Sequence, residues 1–190
     1  ARQVIELAEK LDAPVINTVN AKGVIPYSHP LAIGGSGSCP AVRAALSSAD
    51  VVVAIGTEFG ETDYDYFFEG GVQIAGKLIR IDIDSSQLTR NIRSDLAICS
   101  DAGQALQALN QSLDLPTSDG GRGAKRTEKI RNELKATRDL GYDRFFETIL
   151  GTLPEVIIAG DSTQPVYYAW LHYETEKPRR YFHSASGFGS

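Results

Sequence analysis

The stretch that decides the fold is Val51-Val52-Val53-Ala54-Ile55-Gly56, a run of apolar, mostly β-branched residues that ends in glycine. It is too short for a typical helix, and its lack of polar alternation predicts a strand covered on both faces. Parallel strands flanked by helices meet that condition. Similar strands are predicted at residues 77–84 and, more briefly, at 96–99.

Helical periodicity separates these strands. Apolar residues spaced by three and four predict a helix ahead of Pro14, another that starts at Pro40, and a third over Asp101–Leu113. The β-branched run Pro14–Val19 predicts one more buried strand. Alternation of this kind is typical of a Rossmann-like, doubly wound α/β fold with a parallel sheet, which we predict over residues 1–115.

The composition changes after this domain. Pro, Thr, Ser, Asp and Gly are concentrated around residues 116–123, and we place a linker at 116–125. A charged helix, a strand at 155–161 and an aromatic helix at 166–173 then begin a second α/β domain over 126–190. Because the chain starts without Met and the second set of elements stops early, we expect it to be a piece of a longer protein.

Composition excludes several classes of protein. The net charge is −5 and hydrophobic residues make up 42%, values that are ordinary for a globular protein and argue against nucleic acid as a partner. No apolar run is long enough to predict a membrane span, so no membrane partner is expected. Cys39 and Cys99 cannot form a disulfide framework, which favours a cytoplasmic location.

Small and acidic residues predict a nucleotide site in the first domain. The glycine-rich loop Gly34–Gly37 precedes a helix, where free N–H groups can bind phosphate, although a simple turn has the same composition. Polar residues also follow the strands, at the edge where α/β folds bind ligands. Asp84-Ser85-Ser86-Gln87 has the form of a capping box, which leaves Asp82 for the ligand. The residues at which we predict nucleotide contact are Lys22, Gly35, Gly37, Gly56, Thr57 and Asp82.

A second polar loop follows the strand at 155–161. Hydroxyl, amide and backbone N–H groups in Asp161-Ser162-Thr163-Gln164 would suit a diphosphate, and Gly187 and Gly189 would allow close approach of a ligand. A lone Asp161 is too little for a magnesium site, and the acid-rich loop 58–69 lacks regular ligand spacing, so no metal ligand is predicted. The histidines, at 29, 172 and 183, are scattered, and no hydrolase triad is predicted.

The order of motifs resembles one family. Asn20-Ala21-Lys22-Gly23-Val24-Ile25-Pro26 with His29-Pro30, the strand 49–57 and Ile81-Asp82-Ile83-Asp84 resemble the central domain of thiamine-diphosphate-dependent enzymes, especially the acetolactate synthase-like group. Leu153-Pro154 through Gln164, and Lys177-Pro178-Arg179 through Ser190, are similar to the start of the diphosphate-binding domain of that family. The resemblance covers nearly the whole chain.

The resemblance implies a parent with three domains that binds thiamine diphosphate and Mg²⁺, with the Mg²⁺ ligands beyond this chain. Thr163 and Gln164 should then line the diphosphate, and the Gly189 carbonyl should meet the aminopyrimidine. The activating Glu and the metal ligands of the family have no counterpart here. We therefore expect no catalytic residue in the chain, and no activity from the chain alone.

The activity implied for the parent is decarboxylation of a 2-oxo acid, with or without carboligation, by a dimer or tetramer. Two alternatives are a non-catalytic module that binds ADP or FAD, and a lyase or transferase that acts on acyl-CoA or sulfonated substrates. Relatives with FAD commonly have Arg where this chain has Glu58, so we expect no tightly bound flavin. The acid-rich loop, especially Asp63 and Asp65, would favour a cationic substrate such as a guanidino-oxo acid.

Overall fold

The computed structural model describes residues 1–64, 70–115 and 121–183. Its main sheet has three parallel strands in the order β1-β2-β3, namely β1 (Val51–Ile55), β2 (Lys77–Asp82) and β3 (Leu96–Cys99). The register pairs Ile55 with Ile81, and Asp82 with Cys99. Together with the helices between the strands, this confirms the predicted Rossmann-like α/β fold.

Among the described residues, four helices accompany this sheet, and the first and the last of them contact each other. Asp101 caps the last one by accepting a hydrogen bond from the Gln104 N–H at 3.0 Å, as the predicted start at Asp101 requires. The helices are α1 (Arg2–Leu11), α2 (Pro40–Ser47), α3 (Glu61–Tyr64) and α4 (Ala102–Ser112).

Burial in the sheet differs from the expectation for β1. That strand lies at an edge of the described sheet, and Val51 is 49% exposed, whereas Ala54 is buried. The central strand β2 buries Leu78, Arg80 and Ile81. An edge strand has no neighbour on one side, so its apolar composition did not guarantee cover on both faces.

The predicted strand Pro14–Val19 is wrong in extent. A single parallel bridge joins Val15 to Ala32, and the chain then turns into a 3₁₀-helix at Val19–Ala21. Pro14 lacks an N–H, so the segment has one donor fewer with which to extend the pairing.

The strand predicted at 77–84 ends at Asp82, because the side chains of two aspartates accept hydrogen bonds from backbone N–H groups two residues later. Asp82 Oδ1 accepts from the Asp84 N–H at 3.0 Å, and Asp84 Oδ1 accepts from the Ser86 N–H at 2.9 Å. Such local bonds compete with a sheet ladder. Asp84 is not a helix N-cap, because Ser86 holds that position before a 3₁₀-helix at Gln87–Thr89.

The remaining elements form a second group. They are α5 (Gly121–Lys135), α6 (Leu140–Thr152), β4 (Ile158–Gly160), α7 (Gln164–His172) and β5 (Tyr181–His183). β4 and β5 pair in parallel, and β5 was not predicted. Residues 121–125 of the predicted linker form the start of α5, whereas residues 116–120 lie outside the described part of the chain.

The start of α5 is helical because it packs against the end of α1. A Cβ on Gly123 would lie 2.3 Å from the Asp12 carbonyl oxygen, and the Arg122 N–H donates to Asp12 Oδ2 at 3.2 Å. This close packing outweighs the weak helix propensity of the two glycines.

An aromatic core joins the two predicted domains. Val19 from the first packs with five buried residues of the second, which are Phe146, Tyr168, Ala169, Tyr173 and Tyr181. The boundaries 1–115 and 126–190 stay a prediction. Across the described residues, no helix has both the length and the apolar character needed to cross a bilayer.

Candidate functional site

The loop 161–164 leaves the carboxyl end of β4 and enters α7. A Cβ on Gly160 would lie 2.4 Å from Val166 Cγ2, so a glycine at this position lets the first turn of α7 fold back onto the strand. The loop is therefore held between a strand end and a helix N-terminus, the place where α/β folds bind anionic ligands.

Asp161 shapes this loop. Its Oδ1 accepts from the Ser162 N–H at 2.7 Å, and its carbonyl accepts from the Thr163 N–H at 2.7 Å. Asp161 and Ser162 are both half-buried. A carboxylate held by a backbone N–H is partly neutralised, which lessens its repulsion of a nearby anion.

Thr163 and Gln164 present the polar groups that face solvent. Both are exposed, and Thr163 occupies the N-cap of α7 without a capping hydrogen bond from its side chain. Its hydroxyl and the Gln164 amide are thus not committed to capping. The Thr163 hydroxyl, the Gln164 amide and the Gln164 N–H can together bind an oxyanion such as a diphosphate, whereas Pro165 has no N–H and the Val166 N–H donates to the Thr163 carbonyl at 3.0 Å.

The rest of α7 is held firmly, which fixes the position of its N-terminus. Tyr168 donates from its hydroxyl to Asp143 Oδ1 at 2.6 Å, and burial, with that bond, raises the Tyr168 pKa. The Arg138 guanidinium donates to the His172 carbonyl at 2.9 Å. Burial, followed by the nearby Arg138 charge, lowers the pKa of His172 to about 4.

Three of the residues predicted to contact a nucleotide, Gly56, Thr57 and Asp82, lie close together at the carboxyl ends of β1 and β2. Gly56 donates from its N–H to the Ile81 carbonyl at 2.9 Å, which places it beside Asp82 on the next strand. Thr57 follows, and its groups are engaged, since its carbonyl accepts from Arg80 at 2.8 Å and its hydroxyl oxygen from the Phe59 N–H at 3.3 Å.

The other three predicted residues, Lys22, Gly35 and Gly37, pack against or bond to other residues of the chain. Lys22 lies 3.5 Å from Glu174 Oε1, and the Gly35 N–H donates to the same oxygen at 2.7 Å. A Cβ on Gly37 would lie 2.6 Å from two ring carbons of Tyr64. The six residues therefore do not line one open cleft.

Two carboxylates of the acid-rich loop are engaged with groups of the protein itself. Asp63 Oδ1 accepts from the Val19 N–H at 2.7 Å, and burial raises the Asp63 pKa. Glu58 pairs with Arg90 at 2.9 Å. Asp63 is thus a structural residue, which corrects its predicted part in attracting a cationic substrate. Asp65 lies outside the described residues.

Comparison with known protein families identifies the family of this chain. The sequence model described as "Thiamine pyrophosphate enzyme, central domain" matches residues 1–109, more than half of the chain. The chain belongs to the thiamine pyrophosphate enzyme family. Thiamine pyrophosphate is thiamine diphosphate under another name, so the resemblance to thiamine-diphosphate-dependent enzymes is confirmed.

Relatives match well beyond the first domain. A probable 2-ketoarginine decarboxylase of Pseudomonas aeruginosa is 30% identical over 97% of this chain and 33% of its own length. A probable acetolactate synthase large subunit of Methanocaldococcus jannaschii is 28% identical over 100% of this chain and 35% of its own length. The acetolactate synthase isozyme 3 large subunit of Escherichia coli is 26% identical over 99% of this chain and 35% of its own length. The chain thus spans about a third of the length of these relatives.

The remaining predictions for this thiamine diphosphate family member concern metals and nucleophiles. Among residues 1–64, 70–115 and 121–183, no group of three or more His, Cys, Asp or Glu could hold a metal ion. Cys39 is a free buried thiol and Cys99 a free exposed one. Gly187 and Gly189 lie outside the described residues.

Sequence reasoning missed Glu174 and Arg80. Glu174 follows an aromatic helix and belongs to no motif, so nothing in its neighbourhood indicated burial. Arg80 had a signal, a cation within an otherwise apolar strand. It is 1% exposed and donates to the carbonyls of Thr57, Arg90 and Ile92.

Proposed function

We propose that this chain is part of a thiamine-diphosphate-dependent enzyme that decarboxylates a 2-oxo acid. The observation that carries the proposal is the polar loop 161–164 between β4 and α7, with Thr163 and Gln164 exposed, in a chain of this family. When bound, thiamine diphosphate supplies an electron sink that makes loss of CO₂ feasible.

The residues of the loop fit the diphosphate end of the cofactor. Thr163 and Gln164 would bind its oxygens, because both are exposed and the Thr163 side chain makes no capping hydrogen bond. Asp161 and Ser162 would keep the loop in shape around that group. Gly187 and Gly189 would contact the rest of the cofactor. Mg²⁺ would accompany the diphosphate, held by ligands other than these loop residues.

The proposed substrate class comes from the relatives. One relative is named for 2-ketoarginine decarboxylation, and several others for acetolactate synthesis. Simple decarboxylation is the first candidate, with 2-ketoarginine as the substrate to test. The second is carboligation of the acetolactate synthase type, which the near-complete coverage by those relatives favours. We also propose a homo-oligomer, a dimer or tetramer, in the cytoplasm.

The test is CO₂ release by the protein that contains these residues, with thiamine diphosphate and Mg²⁺, from pyruvate and from 2-ketoarginine. We expect CO₂ from at least one acid, and none without thiamine diphosphate. Acetolactate formed from pyruvate would indicate carboligation. The absence of CO₂ from both acids and from a wider panel of 2-oxo acids would overturn the proposal and leave a non-catalytic module, or a lyase or transferase acting on acyl-CoA or sulfonated compounds.

A further inference from the structure

A lysine ammonium and a backbone N–H both lie close to one carboxylate oxygen of Glu174. Lys22 Nζ lies 3.5 Å from Glu174 Oε1, and the Gly35 N–H donates to that oxygen at 2.7 Å. The side chains of Lys22 and Glu174 are only 2% and 11% exposed. The two partners are 152 positions apart in sequence, so the fold brings them together.

The glycine-rich loop is built closely around this carboxylate. Gly34 has φ +71°, and a Cβ there would lie 2.9 Å from Glu174 Oε1 and 2.8 Å from Tyr27 Cε2. A Cβ on Gly35 would lie 2.9 Å from Leu134 Cδ1. The crevice that remains beside these residues has a volume of about 10 Å³. That is at or below the space one water molecule needs, and a phosphate needs more.

The donors themselves are those that bind phosphate. A backbone N–H in a glycine-rich loop and a lysine ammonium are the usual partners of phosphate oxygens. A lysine this deeply buried also needs an anion beside it, because an uncompensated buried charge is strongly destabilising. Glu174 supplies that negative charge from within the chain.

We propose that Lys22 and the Gly34–Gly37 loop form an anion site that the carboxylate of Glu174 fills in place of a phosphate. The chain therefore takes no phosphate at this loop while Glu174 is present. Removing the carboxylate opens a site for a phosphate group, either free or carried by a nucleotide. The proposal does not depend on the role proposed for residues 161–164, since it rests on Lys22, Glu174 and the Gly34–Gly37 loop alone.

The experiment compares Glu174→Ala with the unchanged chain and with a matched control, Glu176→Ala. Glu176 also accepts from a backbone N–H, that of Ser28 at 3.0 Å, but it is exposed. Inorganic phosphate and ADP are titrated separately into each protein by calorimetry, after far-UV circular dichroism has confirmed folding. We expect phosphate to bind Glu174→Ala at least about tenfold more tightly than the other two proteins, a difference of about 1.4 kcal/mol.

Two further variants keep the test decisive if Glu174→Ala does not fold. Glu174→Ser removes the charge and most of the side-chain volume, so it should gain phosphate binding. The double variant K22M/E174S lacks the cation and should not gain it. Equal phosphate binding by folded Glu174 variants and by Glu176→Ala would overturn the proposal, as would tight binding of ADP at this loop by the unchanged chain. If ADP binds a folded Glu174 variant more tightly than phosphate does, the site admits a whole nucleotide.

Discussion

His172 shows how one residue couples burial to pH. Its ring lies 4.9 Å from that of Tyr168 on the same helix, and burial, with the Arg138 charge, lowers its pKa to about 4 from an ordinary value of 6.5. Between these two values the unfolded chain binds a proton that the folded chain does not. Stability must therefore fall as the pH falls from 6.5 towards 4.

Replacement of this side chain by an apolar ring should remove that dependence. In the unchanged protein, His172 makes the free energy of unfolding rise with pH by up to about 1.4 kcal/mol per pH unit between pH 4 and 6.5. We expect this contribution to be absent in His172→Phe. Urea unfolding of both proteins at several pH values measures it. Other groups, such as His183, whose pKa is also lowered by burial, contribute to both proteins and cancel in the difference. Parallel pH profiles would contradict the account.

For individual residues, the sequence indicated which polar groups belong to candidate sites, but it did not indicate which residues they contact. The polar loop 161–164 was found because parallel strands present their carboxyl ends at one edge. Lys22 and Gly35 were predicted to contact a nucleotide, and the structure shows both close to the carboxylate of Glu174, a residue some 140 to 150 positions away. A contact at that separation depends on how the elements pack, which a single sequence does not state.

The helix α5 gives a prediction at the scale of elements. Alanine favours a helix over glycine by about 1 kcal/mol, yet Gly123→Ala should destabilise the protein, because its Cβ would lie 2.3 Å from the Asp12 carbonyl. Gly151 is the matched control, since it lies in α6 with nothing within 4 Å of an added Cβ. Gly151→Ala should stabilise the protein by about 0.5–1 kcal/mol.

Chemical unfolding of both glycine variants would measure these opposite signs. Stabilisation by Gly123→Ala would show that α5 does not pack on the end of α1 as described. A loss of stability in Gly151→Ala would show that helix propensity is not the controlling term at the open position.

Elements with a long, uniform pattern were predictable. β1, β2 and β3 and the helix α4 lie close to their expected positions, because their apolar runs and caps are local signals. β5 has three residues and pairs with a strand more than twenty positions earlier, so its pairing left no local signal. The Pro14–Val19 segment had the composition of a strand, but tertiary structure gave it a single bridge.

The whole molecule should unfold as one cooperative unit. Val19 packs in the aromatic core of the second part, and the His183 N–H donates to Asn20 Oδ1 at 3.1 Å. Trp170, the one tryptophan of the sequence, packs against that core and reports on it. We expect its fluorescence and the far-UV circular dichroism of the whole chain to follow the same urea transition. Two separate midpoints would show that the predicted domains unfold independently.

The central claim is that residues 161–164 bind the diphosphate of thiamine diphosphate. The most direct test is the affinity of the protein that contains this chain for thiamine diphosphate and for thiamine, in the unchanged form and in Thr163→Ala/Gln164→Ala. Thr148→Ala is the control, because its hydroxyl bonds to the Arg144 carbonyl on α6. We predict that the double variant loses about tenfold or more in affinity for thiamine diphosphate, the effect of one or two lost hydrogen bonds, while thiamine binding stays unchanged. Equal binding of thiamine diphosphate by the double variant and the unchanged protein would contradict the account.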